Sequence, residues 1–101
     1  MAFVRVCAIR DIKPGEGKQF VINSKIIALF NVAGEFYCIG GRCTHAGGPL
    51  AQGMLEGYEI ECPLHGARFD VRNGNNLCQP APGPEPSYEV KIEGENIMVN
   101  I

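Results

Sequence analysis

The chain carries two similar short segments, Cys43-Thr44-His45 and Cys62-Pro63-Leu64-His65, separated by sixteen residues. Together they contain both of its histidines. Cysteine thiolates and histidine imidazoles are the side chains that bind soft and borderline metal ions most strongly. We therefore interpret Cys43, His45, Cys62 and His65 as the four ligands of one metal site, and the question becomes which metal they bind.

Glycine and proline surround both segments. His45 is followed by Ala46-Gly47-Gly48-Pro49, while Pro63 lies inside the second segment and Gly66 follows it directly. Glycine lets backbone N–H groups approach an ion or an inorganic sulfide closely, and proline stiffens a loop that would otherwise lose entropy on ordering. This shared context favours a metal site over a chance grouping of core thiols and surface imidazoles.

A structural zinc ion is the main alternative, because two cysteines and two histidines complete a tetrahedral set. Zinc fingers, however, normally take both cysteines from one segment and both histidines from the other. Here each segment supplies one of each. That alternation favours a 2Fe-2S centre in which one iron binds both thiolates and the other binds both imidazoles.

The ligand pattern resembles that of Rieske proteins, and nearly the whole chain resembles a Rieske-type ferredoxin, the small electron carrier of bacterial multicomponent oxygenases. Ala67-Arg68-Phe69-Asp70, the proline-rich residues 80–86 and a closing pair of strands share this likeness. The resemblance implies one Rieske-type 2Fe-2S cluster bound by Cys43, His45, Cys62 and His65. It also implies that the prolines form a third loop covering the cluster.

Two departures from the respiratory Rieske pattern are informative. Where those relatives have a disulfide between the loops, the matching positions are Gly48 and Leu64, so that disulfide cannot form here. Where they have a serine and a tyrosine that donate hydrogen bonds to cluster sulfurs, this chain has Ala67 and Phe69. Fewer donors stabilise the reduced cluster less, which predicts a potential near the low end of the Rieske range, roughly −150 mV.

Short runs rich in valine, isoleucine, phenylalanine and tyrosine, separated by turn residues, predict an all-β fold. We expect a Rieske-type antiparallel β-sandwich in a single domain, residues 1–101, with a small cluster-binding subdomain at about residues 42–70 that carries the two ligand loops. Helix should be minor. The predicted strands are 3–8, 18–22, 25–31, 35–40, 58–61, 67–70, 87–93 and 96–101.

The three remaining cysteines, Cys7, Cys38 and Cys78, are interpreted as small core residues of a protein in a reducing compartment. Cys38 lies only five positions before Cys43, but it sits in the alternating run 35–39, which is typical of a strand. We therefore exclude it from the ligand set.

Composition excludes several functions. The net charge is −2 and basic residues form no run, so neither nucleic-acid nor membrane binding is expected. No segment has the ~20 apolar residues of a membrane span, and the N-terminus lacks a signal-peptide pattern. We expect a cytoplasmic monomer.

The resulting hypothesis is a one-electron carrier that takes electrons from a flavin-dependent reductase and passes them to a terminal oxygenase. It is not an enzyme and has no small-molecule substrate of its own. A small Rieske subunit of another oxidoreductase, such as an assimilatory nitrite reductase, is the alternative, and a zinc-stabilised binding module is the third. Arg42 and Arg68, beside the ligand loops, either steer an acidic partner or make local ion pairs.

Overall fold

The structure, a computed structural model, describes residues 2–43, 47–64, 66–78 and 83–101. In these residues the chain forms antiparallel sheets and two short 3-10 helices, Ile9–Asp11 and Leu50–Gln52. This confirms the predicted all-β class. The strands are β1 Phe3–Ala8, β2 Gly17–Ile22, β3 Lys25–Val32, β4 Glu35–Gly40, β5 Met54–Glu56, β6 Glu59–Glu61, β7 Arg68–Asp70, β8 Asn76–Cys78, β9 Ser87–Tyr88, β10 Val90–Glu93 and β11 Asn96–Asn100.

The described strands form three sheets. The first sheet has the order β1-β11-β10, the second has the order β2-β3-β4-β9, and the small sheet has the order β5-β6-β7-β8. The first and last strands of the chain pair, with Phe3 opposite Asn100. The small sheet is inserted between β4 and β9 and spans residues 54–78, so it overlaps the segment predicted to bind the cluster, about residues 42–70.

Two tight turns set the register of the second sheet. Asn23 and Ser24 join β2 to β3, and both have positive φ angles, 51° and 65°. Ala33 and Gly34 join β3 to β4 with φ angles of 53° and 94°. Two-residue loops with positive φ match the twist of antiparallel strands. Both turns fall in the gaps between the predicted strands, residues 23–24 and 32–34.

Strand β3 is buried on both faces and belongs to two cores. Ile27 and Leu29 pack with Ile97 and other residues of the first sheet. Their neighbours Ala28 and Phe30 pack in the second core, against residues of the small sheet. Alternate side chains of a strand point to opposite faces, so a continuous apolar run is what a central layer requires.

Apart from strand ends that differ by one residue, the predicted strands differ from the structure at three places. Strands β5 and β8 were not predicted, because neither contains a valine, isoleucine, phenylalanine or tyrosine, the residues by which the strand runs were recognised. The predicted strand 87–93 is divided at Glu89. There the chain leaves the second sheet, where β9 pairs with β4, and enters the first sheet, where β10 pairs with β11.

None of the helices in the described residues has the length and apolar character needed to cross a bilayer.

Candidate metal centre

Cys43 lies in a tight loop just after β4. Its backbone N–H donates to the carbonyl oxygen of Gly48 over 2.8 Å, and the N–H of Gly47 donates to the Cys43 carbonyl over 2.8 Å. A bridge between Arg42 and Pro49 closes the base of the loop. The Cys43 side chain is buried, with 4% exposure. The loop thus presents a thiol that is shielded from water.

Cys62 lies in a second loop, between β6 and β7, with the same hydrogen-bond arrangement. Its N–H donates to the carbonyl oxygen of Ala67 over 2.7 Å, and the N–H of Gly66 donates to the Cys62 carbonyl over 3.2 Å. The residue is 1% exposed. In both loops, therefore, the cysteine N–H donates a hydrogen bond to the carbonyl oxygen five residues later. The cysteine carbonyl oxygen accepts a hydrogen bond from the N–H of the glycine four residues later.

The shared geometry explains the glycines noted in the sequence. Gly47 and Gly66 have φ angles of 71° and 76°, a conformation that costs glycine little and most other residues more. Both are four residues after a cysteine, whereas their spacing from the histidines differs. The two segments therefore match when aligned on their cysteines, a relation that alignment on the histidines hides.

The two loops meet at Gly48. A Cβ atom added to this glycine would lie 2.7 Å from Cys62 Sγ, so the backbone of the first loop lies against the thiol of the second. Cys43 and Cys62 also share one buried cluster, which includes Leu50, Ile60 and Phe69. Tertiary structure thus brings together two thiols that are far apart in sequence.

Two of the four predicted ligands, His45 and His65, lie outside the described residues. Within the described chain, the donor set therefore consists of two buried thiols on matching loops. Soft sulfur donors in an apolar pocket fit an iron–sulfur cluster, since thiolates are its usual ligands and such burial is one of the factors that set its potential.

The cysteines that were excluded as ligands lie elsewhere. Cys38 is on β4 and Cys7 on β1, and both belong to the core between the first and second sheets. Burial raises the pKa of Cys38 to about 12. Burial, followed by the negative charge of Asp11, also raises the pKa of Cys7. Both are inert core thiols, as predicted; Cys78 belongs to β8, and its side chain is outside the described part.

The two positions predicted to lack hydrogen-bond donors are next to the cysteines. Ala67 is fully buried, and its carbonyl accepts the hydrogen bond from Cys62. Phe69 is fully buried in the cluster of residues that includes both thiols. These contacts place two apolar side chains in the thiol-bearing core.

The arginines beside the loops make local contacts. Arg68 donates to Glu61 over 3.0 and 3.2 Å and to Glu59 over 3.4 Å. Arg42 donates to the carbonyl of Gly47 over 3.2 Å. The structure thus contains the local interactions that were considered as the alternative to a docking role.

A buried carboxylate, Glu85, was not singled out by the sequence. It is 5% exposed and stands between two prolines at the end of the proline-rich segment, of which residues 79–82 are outside the description. A charged residue flanked by prolines is usually a solvated loop residue, so no sequence signal marked it.

Known proteins resemble this chain along its length. A family model of the Rieske 2Fe-2S domain matches residues 2–96. The ferredoxin subunit of 3-phenylpropionate/cinnamic acid dioxygenase from Escherichia coli is 40% identical over 99 residues, covering 97% of this chain and 92% of that protein. The ferredoxin of carbazole 1,9a-dioxygenase from Nocardioides aromaticivorans superimposes with a TM-score of 0.93 at 34% identity, covering 98% of this chain and 97% of that one. A Sphingomonas yanoikuyae ferredoxin superimposes with a TM-score of 0.92 at 31% identity, covering 99% of both chains.

The fold and the paired cysteine loops thus define a small iron–sulfur protein. The chain belongs to the Rieske 2Fe-2S domain family. This confirms both the resemblance and the cofactor predicted from the mixed ligand pairs, one Rieske-type 2Fe-2S cluster.

Proposed function

We propose that this protein is the ferredoxin component of a multicomponent oxygenase system, a one-electron carrier between a reductase and a terminal oxygenase. The observation that carries the proposal is the pair of matching cysteine loops, buried in one apolar cluster, in a chain of 101 residues. The protein transforms no substrate of its own.

The relatives support the partner proteins. The 40% identical Escherichia coli protein is named a dioxygenase ferredoxin subunit. A structure at 32% identity, with a TM-score of 0.89, is described as a complex of reduced oxygenase and oxidised ferredoxin in carbazole 1,9a-dioxygenase. By likeness to these proteins, we infer that this chain passes its electron to an oxygenase and receives it from a reductase.

We propose Cys43, His45, Cys62 and His65 as the cluster ligands. When bound, the cluster accepts and releases one electron, and neutral imidazoles make it less negative than a four-thiolate cluster and therefore easier to reduce. Buried Cys43 and Cys62 hold the cluster away from water. Residues 1–101 act as one Rieske domain, and we place the protein in the cytoplasm as a monomer.

A direct test is the metal content and electron paramagnetic resonance spectrum of the dithionite-reduced protein. We expect two iron and two acid-labile sulfide per chain and a Rieske-type signal. Cys43→Ser and Cys62→Ser should lose the cluster, whereas Cys38→Ser, the same change at a buried strand cysteine, should retain it. A full complement of zinc without sulfide, in protein made with adequate iron, would contradict the proposal.

The second candidate function is the small subunit of a nitrite reductase. A chain described as a putative subunit of this kind, from Mycobacterium tuberculosis, superimposes with a TM-score of 0.87, but at 20% identity this likeness shows the fold alone. Turnover assays distinguish the two functions. The protein should support oxygenation when mixed with the reductase and oxygenase of the Escherichia coli 3-phenylpropionate system. Support of nitrite reduction instead would favour the alternative.

A further inference from the structure

Glu85 is held in an unusual position for a charged residue. Among the described residues, the buried carboxylates are Asp70, at 8% exposure, and Glu85, at 5%. Asp70 is paired with Arg72 over 2.8 Å. Glu85 lies where the proline-rich segment returns to the second sheet. Burying a carboxylate costs free energy unless neighbouring groups compensate for the lost water. The contacts around Glu85 therefore need a structural explanation.

The first contact joins Glu85 and Pro86 to the end of β4. The N–H of Gly40 donates to the carbonyl oxygen of Pro86 over 2.9 Å. A Cβ atom added to Gly40 would collide with Glu85 Oε1 and lie 3.0 Å from Pro86 Cδ. A side chain at this position would displace the carboxylate from its present place. Gly40 is three residues before Cys43, so this contact lies at the base of the first cysteine loop.

The second contact joins the Glu85 backbone to the turn after β7. The N–H of Glu85 donates to the carbonyl oxygen of Gly74 over 2.7 Å. The N–H of Gly74 donates in turn to the carbonyl oxygen of Asp70 over 2.7 Å. Gly74 has a φ angle of 81°, and a Cβ atom there would collide with the Glu85 carbonyl oxygen. Asp70 ends β7, the strand that follows the Cys62 loop.

We propose that Glu85 is a positioning residue that holds the base of the Cys43 loop and the strand after the Cys62 loop in one fixed arrangement. Its carboxylate lies against Gly40 of the second sheet, where the next residue, Pro86, accepts a hydrogen bond, and its own N–H bonds to Gly74 beside the small sheet. The apolar core between these sheets adds stability but does not fix their relative orientation, because apolar contacts are non-directional. A buried polar contact specifies one geometry. The proposal rests on the cluster assignment above and not on the choice of partner proteins.

The expected consequence is that Glu85 influences the cluster as well as the stability of the fold. The reduction potential of an iron–sulfur centre depends on hydrogen bonds to its sulfurs and on its exposure to water. A shift between the two loops changes both. Substitutions that disturb the Glu85 contacts should therefore change the potential, while substitutions of equal local strain elsewhere should not.

The test compares Gly74→Ala with Gly94→Ala, together with Glu85→Ala and Glu85→Gln. Gly74 and Gly94 both have positive φ, 81° and 62°, so alanine is strained at both, but no atom lies within 4 Å of a Cβ at Gly94. The measurements are the midpoint potential, the electron paramagnetic resonance spectrum and hydrogen exchange of peptides containing the Gly40 and Glu85 amides.

We expect Gly74→Ala and Glu85→Ala to shift the midpoint potential and alter the spectrum. Hydrogen exchange at the Gly40 and Glu85 amides should become faster by about tenfold or more, the scale expected when a local contact is lost. Glu85→Gln keeps the shape of the side chain, so its midpoint potential, spectrum and exchange rates should be closer to those of the unmodified protein. Gly94→Ala should lower the melting temperature without changing the potential or these exchange rates.

Any of three results would overturn the proposal. The first is an unchanged potential and unchanged exchange in both Gly74→Ala and Glu85→Ala, and the second is an equal shift of potential in Gly94→Ala. A lower melting temperature alone would show a merely structural role and would also overturn it. If the unmodified protein held no iron–sulfur cluster, the proposed function would fail, while the exchange measurements would still decide whether Glu85 connects the two loops.

Discussion

Gly48 lies directly against Leu64: a Cβ atom on Gly48 would be 3.0 Å from Leu64 Cγ and 3.1 Å from Cδ1. These are the two positions at which respiratory relatives are expected to have their disulfide. In a disulfide, S–S and Cβ–S bond lengths place one Cβ about 3.0 Å from the sulfur of the partner residue. Leu64 Cγ thus stands where that sulfur would be, and an apolar contact replaces the covalent bond.

We predict that the double variant Gly48→Cys/Leu64→Cys forms this disulfide. Closing the loop between residues 48 and 64 should stabilise the fold by about 3 kcal/mol and raise the Tm by on the order of 10 °C. Cys62 Sγ lies 2.7 Å from the added Cβ, so the backbone at position 48 must move by a few tenths of an ångström. Thiol titration of the unfolded, unreduced protein measures the outcome.

The single variants Gly48→Cys and Leu64→Cys are the controls, because each adds a thiol without a partner at the facing position. They should show no gain in Tm. If both introduced thiols of the double variant titrate after unfolding, the two loops are not placed as described here.

Hydroxyl groups at positions 67 and 69 should raise the reduction potential. Ala67→Ser and Phe69→Tyr add donors at two fully buried positions in the thiol-bearing core. A hydrogen bond to a sulfur stabilises the more negative, reduced cluster. At ~1 to 2 kcal/mol per bond, each should raise the potential by roughly 40 to 90 mV, measured by redox titration.

The opposite face of the same strand offers a control for this experiment. Arg68 lies between these two positions, is partly exposed and contacts Glu61, so Arg68→Lys changes a neighbouring side chain without adding a hydroxyl. It should change the potential less. An intact cluster with an unchanged or lower potential in Ala67→Ser/Phe69→Tyr would show that these hydroxyls do not reach the sulfurs.

Cys38 should resist alkylation in the folded protein. Since burial raises its pKa to about 12, only about one thiol in three thousand is ionised at pH 8.5, and the side chain is 2% exposed. Mass spectrometry after N-ethylmaleimide treatment should find Cys38 unmodified. Val21→Cys, at a position 64% exposed on β2, supplies a reactive control. Equal labelling of both residues would contradict the buried assignment.

Asp70 should stabilise the fold in a pH-dependent way. Hydrogen bonds from the Arg72 side chain, at 2.8 and 3.0 Å, lower the pKa of Asp70 below its ordinary value of 3.8, although burial opposes them. A lowered folded pKa contributes stability that is present above pH 3.8 and is lost as the pH falls through the folded pKa. Because Arg72 is half exposed, we expect Asp70→Asn to cost about 1 kcal/mol at neutral pH.

Urea unfolding followed by circular dichroism measures this difference. The difference in unfolding free energy between the unmodified protein and Asp70→Asn should be constant above about pH 5 and shrink as the pH falls below 3.8. Glu93→Gln is the control, since Glu93 pairs with Lys91 on an exposed surface. A difference between the unmodified protein and Asp70→Asn that grows on acidification would contradict the role assigned to Arg72.

The sequence by itself determined the family, the cofactor and most of the strands. Cysteine and histidine types at short spacing are a local signal, because ligand chemistry depends on the side chains and not on the rest of the fold. Long strands such as β3 and β4 were equally visible, since runs of β-branched and aromatic residues are typical of strands. Cys38 was correctly separated from Cys43 for the same reason.

Only the tertiary structure decided how distant segments meet. It showed that Gly48 lies against Cys62 and Leu64, that the two loops match when aligned on their cysteines, and that Pro86 and Glu85 bond to Gly40 and Gly74 respectively. The three-residue strands β5 and β8 were likewise invisible, because their pairing with β6 and β7 and not their composition makes them strands. Contacts between residues far apart in sequence depend on the packing of all three sheets, and no local pattern of residue types encodes that packing.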